Sequence, residues 1–445
     1  MTKARLDGLY LMLLGSLAFL LLGTVLAYTS GIEMVDFRVL YYPARCLLNH
    51  GDPYNADVLL RSTVAETGDR PEDVAKAREV MRFIYVPTVF CLTLPIAALP
   101  WGAAHILWIA LIVGGLIFAS FLIWDIGAEY APLACGALIG CLLLNSELLV
   151  VAANSAGIAI SLCVVAVWCF FRGRYAAVGV VCLAIALAVK PHDTGLVWLY
   201  FLLAGGVYRR RALESLAVTI AVSLPGVLWL WHVAPHWTEG LKANLVADAV
   251  RGGVNDPGLS STGAHGLGMM VNLQTVFSAM WDNPGFYNTA TYIVCGVLLL
   301  VWIGATVRRR PTPMRLWLAL ASISALTMLP FYHRQQDTRL LLLTIPACAM
   351  LAVRGGWLGR LALAVTTAAM VLVGDIPWII FLNLLNALHL PATRLTEDLL
   401  IGVQVLPVPL ILLATAVFYL WVYVRHSHQL SDGGVVQAEI LPGTE

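Results

Sequence analysis

Charged residues are scarce in this sequence. They make up 12% of its 445 residues, whereas hydrophobic residues make up 60%. An average soluble chain carries about a quarter charged residues, so the surplus apolar surface must face lipid. The net charge of +1 gives no sign of a nucleic-acid partner. The nine cysteines form no CxxC or Cys/His metal spacing. The composition therefore excludes a soluble protein.

Apolar runs long enough to cross a bilayer as helix recur along the chain. They predict an all-α polytopic membrane protein with about twelve transmembrane helices, near residues 8–28, 102–124, 131–150, 156–171, 174–189, 193–207, 212–233, 286–306, 314–330, 338–353, 361–382 and 400–424. Segment 84–100 is also apolar, but three prolines interrupt it. We expect a re-entrant or juxtamembrane helix there.

Basic residues cluster between alternate spans, and such clusters mark the cytoplasmic side. They lie at residues 172 and 174, 209–211, 308–310, 354 and 360, and 425. This pattern predicts that both termini are cytoplasmic and that two long loops, 29–83 and 234–285, lie outside. The acidic loop after the second span does not fit it. We expect one domain over residues 1–430, followed by a short cytoplasmic tail, 431–445.

Asp36 lies where the first span leaves the lipid. A carboxylate at such a partly dehydrated boundary can have a raised pKa and act as a general base. A solvated aspartate that helps to cap the next helix is the alternative. Position alone favours this alternative, so a general base needs further support.

Several short strings resemble glycosyltransferase family 87, which contains bacterial membrane mannosyltransferases of the GT-C class. They lie at residues 36–48, 51–54, 85–87, 94–100, 186–191 and 332–340. The resemblance covers most of the chain in order and topology. One departure is Ala153-Asn154-Ser155-Ala156, where family members often show Gly-Gln-X-Asn. That departure puts any role of Asn154 in doubt.

The resemblance implies a GT-C fold and an inverting enzyme of the bacterial inner membrane. It would move a sugar, mannose in this family, from a polyprenyl-phosphate donor to a lipid or glycan acceptor on the outer face. Asp36 occupies the position of the family's base. With no paired Asp-X-Asp nucleotide-sugar motif and no Gly-rich phosphate loop in the sequence, we expect no nucleotide-sugar donor, no cofactor and no metal. A transporter or flippase of lipid-linked sugars is the alternative.

A leaving phosphate needs cations near the outer interface. The candidates are Lys190, His333, Arg334 and Arg339, which lie outside against the general trend, with His192 beside them. The alternatives are a lysine that extends to water and, for the basic group after residue 332, a structural network with Asp337.

Tyr41, Tyr42, Tyr54 and Tyr85 are candidates for sugar binding or for interfacial anchoring. His265 belongs to a glycine-rich stretch of the second long loop, which is a candidate lid over the acceptor. Glu147 and Asn154 lie near the outer end of the third span, where they either line the cavity or pack between helices.

Overall fold

The computed structural model describes residues 2–30, 34–68, 70–79, 82–253, 255–258, 270–308, 310–388 and 402–425. Across these residues the chain is helical apart from one isolated bridge between Met270 and Arg334. A short 3-10 helix covers Pro87–Val89, and a longer one covers Gln335–Thr344. The predicted tail and His265 lie outside the described residues.

The described residues form twenty α-helices. In the first half they are α1 (Lys3–Thr29), α2 (Val35–Leu48), α3 (Ala56–Thr67), α4 (Pro71–Glu79), α5 (Phe90–Ala97), α6 (Trp101–Gly127), α7 (Pro132–Leu144), α8 (Leu148–Val151), α9 (Ala156–Arg172), α10 (Ala176–Val189) and α11 (Pro191–Ala204). In the second half they are α12 (Gly206–Val233), α13 (Trp237–Asp248), α14 (Leu273–Met280), α15 (Pro284–Arg308), α16 (Pro313–Leu326), α17 (Ile345–Arg354), α18 (Gly356–Leu372), α19 (Asp375–Leu388) and α20 (Pro407–Arg425).

Seven helical stretches among the described residues are long and apolar enough to cross a membrane. They are Lys3–Thr29, Trp101–Gly127, Pro132–Val151, Gly206–Val233, Pro284–Arg308, Gln335–Arg354 and Gly402–Arg425. Helices α18 and α19 meet at a bend of 60° and form an eighth span if they are counted together. The protein is therefore a polytopic membrane protein, as its composition predicted.

The prediction of about twelve full spans is not confirmed. Four predicted spans correspond to shorter helices, α9, α10, α11 and α16. Three of them have 14 residues, so each rises about 21 Å, whereas the hydrocarbon core is about 30 Å thick. The predicted segments 156–171 and 174–189 already end beside Gly173 and Lys190, and α9 and α10 end at these two residues.

Segment 84–100 forms the short 3-10 helix at Pro87–Val89 and then α5. A helix of eight residues rises about 12 Å, which is too short to cross, as expected. The hydroxyl of Thr88 donates a hydrogen bond of 2.6 Å to the carbonyl of Ala188. This bond fixes the segment beside the end of α10.

Glycines let α1 and α7 pack with their backbones in contact. A Cβ on Gly15 would lie 2.4 Å from the carbonyl oxygen of Gly140, and one on Gly136 would lie 2.0 Å from that of Gly8. Close approach of small residues is a common way for membrane helices to associate. Since these contacts permit no sliding, they fix where α1 ends relative to the end of α7.

The turn that follows α8 is held by the start of α2 and by α6. The backbone N–H of Asp36 donates to the carbonyl of Ala152 at 3.0 Å. The indole N–H of Trp108 donates to the carbonyl of Ala153 at 2.8 Å, and its ring stacks on Phe37 at 4.7 Å. These contacts place Asp36 beside the turn at 152–154.

The two long loops pack on each other. The side-chain amide of Asn244, on α13, donates to the carbonyls of Tyr54 and Phe83, each at 3.1 Å. The backbone N–H of Val271 donates to the carbonyl of His333 at 3.0 Å. The second loop is thereby joined both to the first loop and to the segment before the long 3-10 helix.

Candidate active site at the loop-bearing end of the bundle

Asp36 is the second residue of α2. The side-chain amide of Asn154 donates a hydrogen bond of 2.6 Å to Asp36 Oδ2. Burial raises the pKa of Asp36, while the bond from Asn154 and the positive charges of Arg334 and Lys190 oppose that rise. The capping interpretation is not supported, because the N-cap of α2 is Met34 and no side chain caps that end. Asp36 is a partly buried carboxylate with two cations in electrostatic range.

Lys190 lies between α10 and α11 and is buried, with 5% of its surface exposed. Its ammonium donates to Asp337 Oδ1 at 2.5 Å and lies 3.5 Å from Asp193 Oδ2. Burial alone would lower the pKa of Lys190, but the two carboxylates outweigh it and raise that pKa, so the lysine stays charged. It does not extend to water, because its charged end is held inside the protein.

Arg334 precedes the long 3-10 helix. Its Nε donates to the hydroxyl of Tyr332 at 2.8 Å, and its Nη2 donates to Asn255 Oδ1 at 2.7 Å. Its backbone N–H donates to Asp337 Oδ2 at 2.9 Å. Asp337 therefore connects Arg334 with Lys190, so the network with Asp337 that the sequence left open does exist.

Two histidines and Asp193 lie next to this network. Nε2 of His192 is 3.4 Å and Nε2 of His333 is 3.3 Å from Asp193 Oδ1, and the rings meet edge to face at 5.1 Å. Burial lowers the pKa of His192 to about 4, so His192 is neutral at pH 7. For His333 burial acts in the same direction, but the carboxylates of Asp193 and Asp337 outweigh it and raise the pKa.

A cavity of about 370 Å³ adjoins His192. Its lining is almost entirely apolar and comes from α11, α15, α16 and the segment after α16. The lining residues are Pro191, His192, Gly195, Leu196, Tyr292, Cys295, Gly296, Leu299, Leu326, Thr327, Pro330 and Phe331. An apolar cavity thus ends at the charged cluster.

Arg339 does not belong to this cluster. Its side chain is fully buried, and its Nη2 donates to Asp375 Oδ1 at 2.9 Å and to the carbonyl of Asn145 at 2.6 Å. Its Nη1 donates to the carbonyl of Val373 at 3.0 Å, at the break between α18 and α19. Arg339 satisfies the polar groups of a broken helix inside the bundle, so we do not assign it to phosphate binding.

The four tyrosines separate into two groups. The hydroxyls of Tyr41 and Tyr54 donate to the carbonyls of Leu99 and Tyr85, at 2.9 and 2.7 Å, and both side chains are buried. Tyr42 stacks on Trp101 at 5.7 Å. These three pack the first loop and are not placed at the site. Tyr85 does face the site, since its pKa is affected by the charges of Lys190 and Asp36.

Five residues that the sequence predicted for the site lie at one end of the molecule: Asp36, Lys190, His192, His333 and Arg334. The sequence patterns left the role of Asn154 in doubt and predicted no role for Asp193, Tyr332 and Asn255. The sequence does contain a sign of Asp193, because this second charged residue lies three positions after Lys190 in a short polar break between apolar runs. It contains no such sign of Asn255, since the partner of Asn255 lies 79 residues away.

Comparison of the chain with protein-family models, with curated proteins and with solved structures found no match. The resemblance to glycosyltransferase family 87 therefore stays a prediction that depends on the short motifs alone.

Proposed function

We propose that the protein is a membrane glycosyltransferase that uses a polyprenyl-phosphate sugar as donor. One observation carries the proposal. Asp36, a partly buried carboxylate, lies within electrostatic range of Lys190 and Arg334, and an apolar cavity begins at Pro191 and His192 beside Lys190. The neighbouring carboxylates of Asp193 and Asp337 are paired with Lys190, which leaves Asp36 as the candidate base. Glycoside hydrolysis needs two carboxylates. Transfer from a phosphate-activated sugar needs only one, because the phosphate is already a good leaving group.

The reaction follows from these positions. Asp36 takes the proton of an acceptor hydroxyl, and the hydroxyl oxygen forms a bond to the anomeric carbon. The bond between that carbon and the phosphate oxygen breaks, and its electron pair leaves with the phosphate. The polyprenyl phosphate gains one negative charge, and the configuration inverts because attack comes from the opposite face. Lys190 and Arg334 stabilise the added charge.

The apolar cavity suits the polyprenyl chain. It begins at His192 and Pro191, beside the cations, and continues between α11, α15 and α16. A lipid phosphate at Lys190 would have its first isoprene units in contact with this lining, because phosphate and lipid are covalently joined. The GT-C fold, mannose as the sugar, the acceptor class and the outer face of a bacterial inner membrane are parts of the same proposal, and the motif resemblance supports them.

The test uses purified protein in detergent with a panel of polyprenyl-phosphate sugars and a bacterial lipid extract as acceptor. Mass spectrometry follows the release of polyprenyl phosphate and the gain of one hexose by an acceptor. Asp57→Asn is a matched control, because Asp57 is an exposed aspartate of the first loop. We expect turnover by the wild type and by this control. No release from any donor by well-folded wild type would contradict the proposal.

The break between α18 and α19 favours a second candidate function, transport of lipid-linked sugars. Transporters often carry broken helices with charged residues at the break, and here Asp375 begins the second half-helix. A flippase of lipid-linked sugars would move donor between leaflets of proteoliposomes without consuming it. Donor movement without chemical change would therefore favour the transporter.

A further inference from the structure

Four side chains beside Lys190 have the donor set of a transition-metal site. His192, Asp193, His333 and Asp337 each offer one ligand atom, and these atoms all lie within 4.8 Å of one another. Asp193 and His333 are 1% and 0% exposed. Within the described part of the chain, both Asp193 oxygens and Nε2 of both histidines are buried, and none of them makes a hydrogen bond of good geometry. Asp193 instead lies at ion-pair distances of 3.3 to 3.5 Å from His333, His192 and Lys190. Buried polar atoms normally make a hydrogen bond, so this group needs an explanation.

The distances match a bound metal ion. Ligand atoms about 2.0–2.1 Å from a tetrahedral zinc ion lie about 3.3–3.4 Å from one another. Nε2 of His333 and of His192 lie 3.3 and 3.4 Å from Asp193 Oδ1.

The orientation of His333 agrees with this arrangement. Its Nδ1 lies 3.2 Å from the carbonyl of Phe331, which can only accept, so Nδ1 carries a hydrogen and Nε2 is directed at Asp193. Metal-ligating histidines commonly bond a backbone carbonyl through the other ring nitrogen.

We propose that His192, Asp193 and His333, with the Asp337 carboxylate as fourth ligand, bind one divalent transition-metal ion of the zinc class. Two imidazoles and two carboxylates suit Zn²⁺, whereas Mg²⁺ prefers oxygen ligands alone. The ion joins the start of α11 to the segment before the long 3-10 helix. This site goes beyond the proposed glycosyl transfer and does not depend on it. It also differs from the expectation that no metal binds.

The ammonium of Lys190 competes with the metal ion for the carboxylates of Asp337 and Asp193. This ammonium now holds Asp337 at 2.5 Å and lies 3.5 Å from Asp193. With both imidazoles neutral, as metal ligands must be, the two carboxylates and one ammonium leave one excess negative charge. A metal ion must take Asp337 from the ammonium, so removing the ammonium should strengthen metal binding. If the cluster is only a structural ion pair, removing the ammonium destabilises the fold and brings no gain in metal binding.

The test is titration of chelator-treated, purified protein with Zn²⁺, and separately with Mg²⁺, by calorimetry and thermal unfolding. We expect one Zn²⁺ per chain, a higher Tm with Zn²⁺ and no comparable effect of Mg²⁺. Asp193→Asn and His333→Gln should weaken Zn²⁺ binding at least about 10-fold, since even changes around a metal ligand cost that much. His105→Gln, at a histidine of α6 outside the cluster, is the control and should bind as the wild type does.

Lys190→Met decides the case if the Asp193 and His333 variants do not fold. Tighter Zn²⁺ binding by this variant supports the site, and unchanged or weaker binding overturns it. Absence of Zn²⁺ binding by the wild type overturns it too, and so does equal binding by a folded Asp193→Asn variant. In those cases Lys190 and bound protons, without a metal ion, neutralise the charge of Asp193 and Asp337. Because the readout is binding, such a failure leaves the proposed glycosyl transfer untouched.

Discussion

The side-chain amide of Asn154 donates a hydrogen bond of 2.6 Å to Oδ2 of Asp36, although 118 residues separate the two in the chain. Exchanging the oxygen and nitrogen of this amide would break a second hydrogen bond, because the oxygen accepts one from the backbone N–H of Ala156 at 2.8 Å. Asn154 is therefore oriented to donate to Asp36. A hydrogen bond to the charged form of a carboxylate favours that form, so Asn154 keeps the candidate base more acidic than burial alone would allow.

Asn154→Ala should shift the acidic limb of the pH–rate profile to higher pH. The pKa of Asp36 is already raised by burial, and loss of this bond raises it further. Arg334 and Lys190 still oppose the rise and Asp337 still adds to it, while the phenols of Tyr85 and Tyr332 are the other titratable groups there. Because the base acts ionised, activity falls as pH drops through its pKa, and the variant loses activity first.

The measurement is kcat over a range of pH for both proteins. At high pH, where Asp36 is ionised in each, the two rates should converge to within a few fold. A purely structural role of Asn154 would lower the rate equally at every pH, and that result would contradict this account.

The sequence predicted Asp36 as the candidate base but did not predict its contact with Asn154, and the reason is physical. Asp36 stands out because it lies in the polar segment that follows the first apolar run, three residues after Glu33, and coincides with the aspartate of the resembled family. Its bond to Asn154 depends on the depth at which α1 packs against α7, which the contact of Gly8 with Gly136 sets. No local pattern encodes a contact between helices so far apart in the chain. Arg339 was predicted to bind phosphate because no local sequence pattern shows that its side chain is buried at the break between α18 and α19.

Arg334→Gln should weaken donor binding. Loss of one charge-assisted contact costs about 1.5–3 kcal/mol, which corresponds to roughly a 10- to 100-fold rise in donor KM. The control is Arg251→Gln, because Arg251 lies in the second loop and pairs with Asp282 at an exposed surface, at 2.9 Å. The donor KM of both variants is measured under transfer conditions. Equal donor KM for Arg334→Gln and the wild type would exclude Arg334 from phosphate binding.

Arg339→Met should destabilise the fold. Arg339 and Asp375 form a fully buried pair at 2.9 Å, and removing one partner of such a pair costs about 3–5 kcal/mol. The matched control is Arg210→Met, since Arg210 pairs with Glu214 at the surface, where a pair contributes at most about 1 kcal/mol. Thermal unfolding in detergent measures both. A Tm for Arg339→Met equal to that of the control would show that the buried pair of Arg339 and Asp375 does not stabilise the fold more than a surface pair does.

Cysteines placed at Arg61 and Arg210 should react from opposite sides of the membrane. Both positions are exposed. Arg211 donates to the carbonyl of Phe170 at 3.0 Å, near the end of α9 far from the site, and the 17 residues of α9 span about 25 Å. The basic cluster at 209–211 predicts that this end is cytoplasmic.

The labelling requires a cysteine-free parent, because the nine native cysteines are free thiols. A membrane-impermeant maleimide should label Arg61→Cys in intact cells, but Arg210→Cys only after permeabilisation. The parent protein controls for background. Labelling of both cysteines from the same side would contradict the topology and the outward location of the site.

Asp36→Asn should abolish most of the transfer without weakening the protein. An asparagine keeps the shape and can still accept the bond from Asn154, but it cannot take a proton. General-base catalysis contributes roughly 10²–10⁴-fold, so kcat should fall by that factor while donor binding changes little. Asp57→Asn, at an exposed aspartate of α3, should transfer as the wild type does.

Stability separates chemistry from misfolding in this variant. The pKa of Asp36 is raised in the folded protein, so its stability contribution is present at low pH and is lost as pH rises through that pKa. At neutral pH the ionised carboxylate is therefore a cost, and the neutral asparagine removes it. The Tm of Asp36→Asn should equal or exceed that of the wild type at pH 7, with the difference shrinking on acidification. Near-normal turnover by a variant with that Tm would show that Asp36 is not the base.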